Sequence, residues 1–269
     1  MDRLRFRSLA SGSSGNCYFI GNASYGILID AGVGVRSIRR FLRTMGLDFH
    51  NIWGIFVTHD HVDHIKAVGN IGEKFHVPIY STRKIHEGIN RSYCVTQKLS
   101  SSQQKFIEAG EQLNIGDFSI KAFQVSHDSS DCVGYSVEYR GKTFTFATDL
   151  GYVSDVVAEH LTASDYLVLE SNYDEDMLTK GPYPWLLQQR IKADTGHLCN
   201  MQTAQFLADY YTDRWEYVFL CHLSKENNLP DLAYTTICEH LKSKLIHFEQ
   251  KMKIIPLERM SPSLMYIFE

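Results

Sequence analysis

The string Thr58-His59-Asp60-His61-Val62-Asp63-His64 places three imidazoles and two carboxylates within seven residues. Nitrogen donors mixed with carboxylates at this density are the chemistry of a divalent metal site. Zinc or manganese suits such donors, and iron is accommodated, because imidazole is a ligand of intermediate softness. The apolar run Ile52-Trp53-Gly54-Ile55-Phe56-Val57 comes directly before the string, so a β-strand breaking into a loop at a sheet rim holds His59 and His61 on one side. A helix starting near Val62 carries Asp63 and His64 to the opposite side of the same cavity. Other expected strand ends deliver His127 in Ser126-His127-Asp128, Asp149 in Ala147-Thr148-Asp149, and His222 after residues 217–221. Their number matches two adjacent ions. His59, His61 and His127 are expected on one, Asp63, His64 and His222 on the other, with Asp149 bridging through its two oxygens.

The elements that must position these residues follow from periodicity. Residues 4–6 and 18–20 bracket Ser11-Gly12-Ser13-Ser14-Gly15-Asn16 as strand, tight loop and strand, and residues 25–30 form a third strand ending in Asp30-Ala31-Gly32. Val35, Ile38, Phe41, Leu42 and Met45 recur at helical spacing, with Arg36, Arg39, Arg40 and Arg43 on the remaining faces and Gly46 as the stop. A helical stretch to about residue 75 follows the histidines, then a short strand at 78–80 and a mixed segment to 108. Residues 113–126 alternate as a strand, and 133–148 read as a hairpin turning at Arg140-Gly141-Lys142. The second half runs helix near 153–161, strand at 166–170, a Gly-Pro loop at 181–184, helices around 185–191 and 200–211, strand at 217–221, helix near 232–245, and two closing strands. Strand runs covered by helices, twice over, predict two sheets face to face with helices outside, in a single domain over residues 1–269.

Composition narrows the class. At 269 residues and 44% apolar content the chain has ample material for a core. A balance of 27 basic against 31 acidic residues excludes an all-over basic surface and leaves room for a local basic groove. The six cysteines are scattered without a C-x-x-C pair and are expected as reduced, mostly buried thiols. Residues 1–7 alternate charged and apolar side chains rather than forming a leader, and no run reaches membrane-span length. A soluble, cytoplasmic protein is expected, with its oligomeric state open.

Asp30-x-Gly32, the His-x-His-x-Asp-His string, and the later His127, Asp149 and His222 follow the five-motif order of the metallo-β-lactamase superfamily, which the chain resembles over nearly all its length. The resemblance implies an α/β fold, the αββα sandwich of two mixed β-sheets, and a role for Asp30 in steadying a ligand imidazole. It leaves the substrate open, since lactams, thioesters, phosphodiesters and RNA are all hydrolysed on this scaffold. True β-lactamases generally lack a ligand where His64 stands, which weighs against a lactam. Three strings look like the bacterial YycJ family: Leu9-Ala10-Ser11-Gly12-Ser13-Ser14-Gly15-Asn16, Tyr183-Pro184-Trp185 through Arg190-Ile191 to Gly196-His197-Leu198-Cys199-Asn200, and His222-Leu223-Ser224-Lys225-Glu226-Asn227-Asn228. That family usually has Ser where Cys199 stands. The likeness implies DNA exonuclease activity from the 5′ end, and a more distant likeness to ribonuclease Z extends to Glu170 and His197-x5-Thr203-Ala204.

Two ions about 3.5–4 Å apart would hold a bridging hydroxide near neutral pH and clamp phosphate oxygens during in-line attack. The leaving oxygen needs a proton. His197, ahead of a helix beginning near Asn200, is the candidate donor, with Glu170 orienting it or raising its pKa and Asp63 assisting as a base. Ser13, Ser14, Asn16 and nearby amides offer donors to an anion, and Ser224, Lys225, Asn227 and Asn228 follow His222 closely enough to hold a phosphate. Arg190 and Lys192 read as a basic lip; Tyr173, Tyr183 and Trp185 read equally as base-stacking or packing aromatics. The expected function is a binuclear phosphodiesterase acting on nucleic acid, DNA before RNA. The alternative is a hydrolase of a small ester, thioester or cyclic phosphodiester. A non-catalytic metal cage fits poorly, because structural sites are closed and these have donors to spare.

Overall fold

The structure, a computed structural model, describes residues 3–268; Met1 and Asp2 of the N-terminal stretch, and Glu269, lie outside the described residues. The chain forms two compact units. The first holds the described residues up to Ala109, Ser129–Cys132, and those from Glu258 onward; the second holds Gly110–Asp128 and Val133–Leu257.

The first unit runs β1 (Leu4–Gly12), β2 (Gly15–Gly21), β3 (Gly26–Ile29), α1 (Val35–Arg43), β4 (Ile52–Phe56), α2 (Val62–Ile65), α3 (Val68–Phe75), β5 (Ile79–Ser81), α4 (Arg83–Arg91) and β6 (Gln104–Phe106). The second runs β7 (Gln112–Ile115), β8 (Phe118–Gln124), β9 (Val133–Tyr139), β10 (Lys142–Ala147), α5 (Asp155–Thr162), β11 (Tyr166–Glu170), α6 (Glu175–Lys180), α7 (Trp185–Lys192), α8 (Asn200–Asp209), β12 (Tyr217–Cys221), α9 (Pro230–Ser243) and β13 (Lys253–Pro256). A closing strand, β14 (Tyr266–Phe268), rejoins the first unit.

Each unit has one mixed sheet of seven strands, ordered β14-β1-β2-β3-β4-β5-β6 and β13-β12-β11-β10-β9-β8-β7. In the first, β14 to β3 pair antiparallel and β3 to β6 parallel. In the second, β7 to β10 pair antiparallel and β10 to β13 parallel. Strand direction then decides where chemistry can collect. The ends of β1, β3 and β4 emerge on one edge of the first sheet, and those of β8, β10, β11 and β12 on one edge of the second, where parallel sheets present ligands.

The local reasons are those the sequence offers. β3 and β11 are buried at every position, as apolar strands covered on both faces should be. In α1 the stripe Ile38, Phe41 and Leu42 is buried while its arginines remain outside. The β9–β10 hairpin turns at Arg140 (φ 53) and Gly141 (φ 81), two left-handed residues, of which glycine meets the second without steric cost. Trp215 is fully buried and donates its indole N–H to the Leu161 carbonyl at 2.9 Å. The segment read as mixed resolves into α4, capped by Thr82, and the exposed edge strand β6. All six cysteines are thiols, five of them buried. Among the described residues no helix is long and apolar enough to cross a membrane.

Candidate functional site

In the first unit Ile29 of β3 lies beside Phe56 of β4, so Asp30 and the histidine string leave the sheet together. Asp30 takes a left-handed conformation (φ 59) and its fully buried carboxylate accepts from Thr58 N at 2.8 Å, Thr58 Oγ1 at 2.9 Å and His64 Nδ1 at 2.7 Å. Burial pushes this carboxyl above its usual range, against the pull of the His64 charge and these hydrogen bonds. With Nδ1 donating, His64 keeps its Nε2 lone pair, which accepts from Asn16 Nδ2 at 2.9 Å and lies 3.5 Å from Asp63 Oδ2. The His59 ring sits 4.7 Å from that of His61 and 4.0 Å from that of His64, centroid to centroid. His59, His61, Asp63 and His64 are therefore brought together. Asp60 turns away, accepting from the amide and hydroxyl of Ser130.

Gly32 makes this loop buildable. The carbonyl of His64 accepts from Ala31 N at 2.8 Å, pressing the start of α2 against the chain after β3. A Cβ on Gly32 would stand 1.5 Å from the Asp63 carbonyl oxygen. Gly32→Ala is expected to cost about 2–3 kcal/mol, because backbone on both sides must shift. A urea midpoint within error of the wild type would refute this.

In the second unit β10, β11 and β12 deliver Asp149, Glu170 and His222, and the end of β8 leads to His127. Asp149 (φ 54) and His222 (φ 55) are also left-handed, so three site candidates occupy a conformation found in six non-glycine residues among those described. Such backbone concentrates at functional sites, where surrounding structure holds it in place. His222 Nδ1 lies 3.1 Å from Glu170 Oε1 and 3.4 Å from Asp149 Oδ1, and His197 Nδ1 lies 2.8 Å from Glu170 Oε1. His127 donates Nδ1–H to the Gly196 carbonyl at 3.1 Å and presents Nε2 3.9 Å from Asp149 Oδ1. Ligand atoms of Asp149, Glu170, His197 and His222 all fall within 4.8 Å of one another.

Two buried carboxylates this close to each other need positive charge, and neighbouring imidazoles with a ring nitrogen to spare suit a divalent cation. The donors fit one. Glu170 is the least available of them: Oε2 accepts from Leu150 N at 2.9 Å and Leu198 N at 3.2 Å, and Oε1 meets His197 and His222. Burial pushes Glu170 up, but the His197 charge and the imidazole hydrogen bonds outweigh it and hold the carboxyl below its usual range. Burial pulls the His197 pKa down, and Glu170 with Asp149 overrides it and raises it above its ordinary value.

Other expected residues are placed unevenly. Ser13 and Ser14 are exposed on the turn after β1. Asn16 is instead fully buried, its Oδ1 accepting from Gly12 N at 2.9 Å and its Nδ2 bonding His64, so it braces the ligand loop. Lys225 is exposed beside Glu226, and Ser224 is buried and accepts from Asn227 N at 3.3 Å. Asn228, expected to hold phosphate, is 0% exposed, and its Nδ2 donates to the carbonyls of Ser171 and Asn172 at 2.9 and 3.0 Å, locking the loop after β12. The basic lip is neutralised, Arg190 pairing with Asp128 and Lys192 with Glu175. Tyr173 packs with Leu178 and Cys199, whereas Trp185 is 68% exposed.

Cys199 is the N-cap of α8, its thiol accepting from Gln202 N at 3.4 Å while Gln202 Oε1 accepts from Cys199 N. A hydroxyl caps better than a thiol. Cys199→Ser is expected to add about 0.5–1 kcal/mol, read as a raised urea midpoint. Sequence reasoning missed Thr58, which ties Asp30 to the string, and Asn172, which donates to the His222 carbonyl at 2.7 Å. Thr58 sits one residue from His59 and Asn172 two from Glu170, and that adjacency to a strand-end site candidate is the signal that could have found them.

Residues 25–222 match a family model described as a β-lactamase superfamily domain. The chain is 33% identical over 241 residues, 90% of each chain, to a protein of Bacillus anthracis named exodeoxyribonuclease YycJ. It is 35% identical over 238 residues, 88% of each chain, to exodeoxyribonuclease WalJ of Streptococcus pneumoniae. The crystal structure of the metallo-β-lactamase fold protein YhfI from Bacillus subtilis matches at a TM-score of 0.70 and 15% identity, covering 99% of this chain and 100% of that one. At such identity the likeness speaks to fold alone, and it bears out the expected αββα class with its two mixed sheets of seven strands.

Proposed function

This chain belongs to the metallo-β-lactamase superfamily and is a metal-dependent hydrolase, and from that premise we propose that it is a phosphodiesterase acting on DNA as an exonuclease from the 5′ end. The observation that carries the reading is the gathering of Asp149, Glu170, His197 and His222 at the strand ends of the second sheet. The proposed ligands are His59, His61, Asp63 and His64 from the first unit and His127, Asp149 and His222 from the second, enough for two divalent ions, zinc or manganese. When bound, such ions supply positive charge that polarises the phosphate and makes water more acidic.

The side chains have separable tasks. Asp30 and the Gly196 carbonyl fix the tautomers of His64 and His127, leaving Nε2 of each as the donor atom. Glu170, 2.8 Å from its Nδ1, raises the His197 pKa, and the proposed task of His197, 20% exposed at its side chain, is to give a proton to the leaving oxygen. The names of the two bacterial relatives support DNA as substrate. Ser13, Ser14, Ser224 and Lys225 are proposed to contact its phosphates.

Protein loaded with manganese or zinc should carry two equivalents by elemental analysis and release mononucleotides from 5′-labelled DNA before 3′-labelled DNA. Cleavage of esters or thioesters with DNA left intact would overturn the substrate and favour the small-ester alternative.

A further inference from the structure

The first unit contains an open cavity of about 340 Å³, of whose lining only Ser14 has been given a task above. Arg7 of β1, Arg40 of α1 and Lys66 after α2 line it, together with Ser14 and Ser37. Among the described residues no carboxylate lines it. Arg7 is held by neutral groups, Thr44 Oγ1 at 2.9 Å and the Ser263 carbonyl at 3.0 Å, with its guanidinium over the Phe41 ring. Arg40 and Lys66 have no acidic partner among the described residues, whereas Arg39 and Arg43 on the same helix pair with Asp48. In a chain of net charge −4, three cations gathered around one hollow and left uncompensated are a local feature that calls for an anion.

The remaining walls say what the anion carries. Leu9, Val33, Phe41 and Met260 form an apolar surface beside the cations, and Met260 is 68% exposed. Free phosphate would leave that surface wet; a nucleotide would cover it with sugar and base while its phosphate met the cations. The volume lies at the lower end of small-ligand sites, enough for one such residue. The cavity also takes in Gly34, the N-cap of α1, whose first turn has no side-chain cap. Its dipole adds to the same field without being needed to create it.

The cavity is tied by sequence to the ligand loop. Lys66 stands two residues after His64, Val33 follows Gly32, and Ser14 belongs to the turn whose Asn16 bonds His64. We propose that this cavity is a nucleotide subsite, holding one phosphate and its nucleoside from the DNA strand on which the chain acts, an inference that rests on the phosphodiesterase reading.

The test uses the metal-loaded protein and a fluorescent single-stranded oligonucleotide with hydrolysis-resistant phosphorothioate links. Arg40→Gln and Lys66→Gln should each weaken binding roughly tenfold at low salt and reduce the slope of log Kd against log salt by about one. Lys244→Gln, at the C-cap of α9 in the second unit, removes the same charge and should change Kd less than about twofold. Cavity variants binding like the wild type would overturn the proposal, as would polyglutamate of equal charge competing as well as DNA. If ordinary DNA is hydrolysed while the cavity variants bind normally, the subsite fails and the phosphodiesterase reading stands. If binding depends on Arg40 and Lys66 but no nucleotide is ever released, the subsite stands and that reading fails.

Discussion

Asp149→Ala should lower kcat/KM for DNA by roughly 1,000-fold or more and reduce bound metal below that of the wild type. Transition-state charge stabilisation by metal is worth several kcal/mol, and about 1.4 kcal/mol corresponds to each tenfold in rate. Asp149 is 2% exposed, lies within 4 Å of three imidazoles, and is held in a left-handed conformation that aims its carboxylate inward. Stability should respond differently from rate. In metal-free protein Asp149 repels the buried Glu170 charge but favours the charged form of His197, so removing it relieves one interaction and loses the other. The melting temperature without metal should therefore change little, while the stabilisation that added metal gives the wild type through preferential binding to the folded state should largely vanish. Calorimetry with and without manganese reads both; a variant still stabilised by metal and still active would mean that Asp149 is no ligand.

His197→Ala should retain the metal and lose about 100- to 10,000-fold in kcat, the range for removing a general acid. The geometry separates it from the ligands: its Nδ1 is engaged by Glu170 Oε1 at 2.8 Å, and a fifth of its side chain remains exposed, enough to reach a leaving group. A pH profile distinguishes proton donation from mere packing. Glu170 raises the His197 pKa, and a general acid works only while protonated, so activity should fall as pH rises through that raised value. Glu170→Gln removes the charge, lowers the pKa, and should move this alkaline limb to lower pH. An unmoved limb would deny His197 the role, and lost metal in His197→Ala would make it a ligand.

Legibility in the sequence followed the length scale of each interaction. β11 and β12 matched residues 166–170 and 217–221 because a continuous apolar run between polar punctuation has few other structural outcomes. The Arg140-Gly141 turn was readable because left-handed backbone at both positions favours glycine. Two short helices escaped: α4 lies in the segment left as mixed, and α6 spans six residues, too few for a period to register. The bracing role of two asparagines escaped for a related reason. Asn16 and Asn228 have the chemistry of phosphate donors, but their amides are spent on His64 and on the carbonyls of Ser171 and Asn172, partners 48, 57 and 56 residues away.

Residue type and order alone determined the inventory: which side chains can ligate a divalent cation, that they stand at strand ends, and that the scaffold is the superfamily's. Softness, charge and hydrophobic period are properties of residues and their near neighbours, so a linear string carries them. Which ring nitrogen each histidine keeps available, which amides are consumed in bracing, and that Arg7, Arg40 and Lys66 share one hollow were decided only by tertiary structure. Those outcomes depend on hydrogen bonds that fail beyond about 3.5 Å and on Coulomb interactions screened over about 10 Å, and only folding brings segments remote in the chain that close.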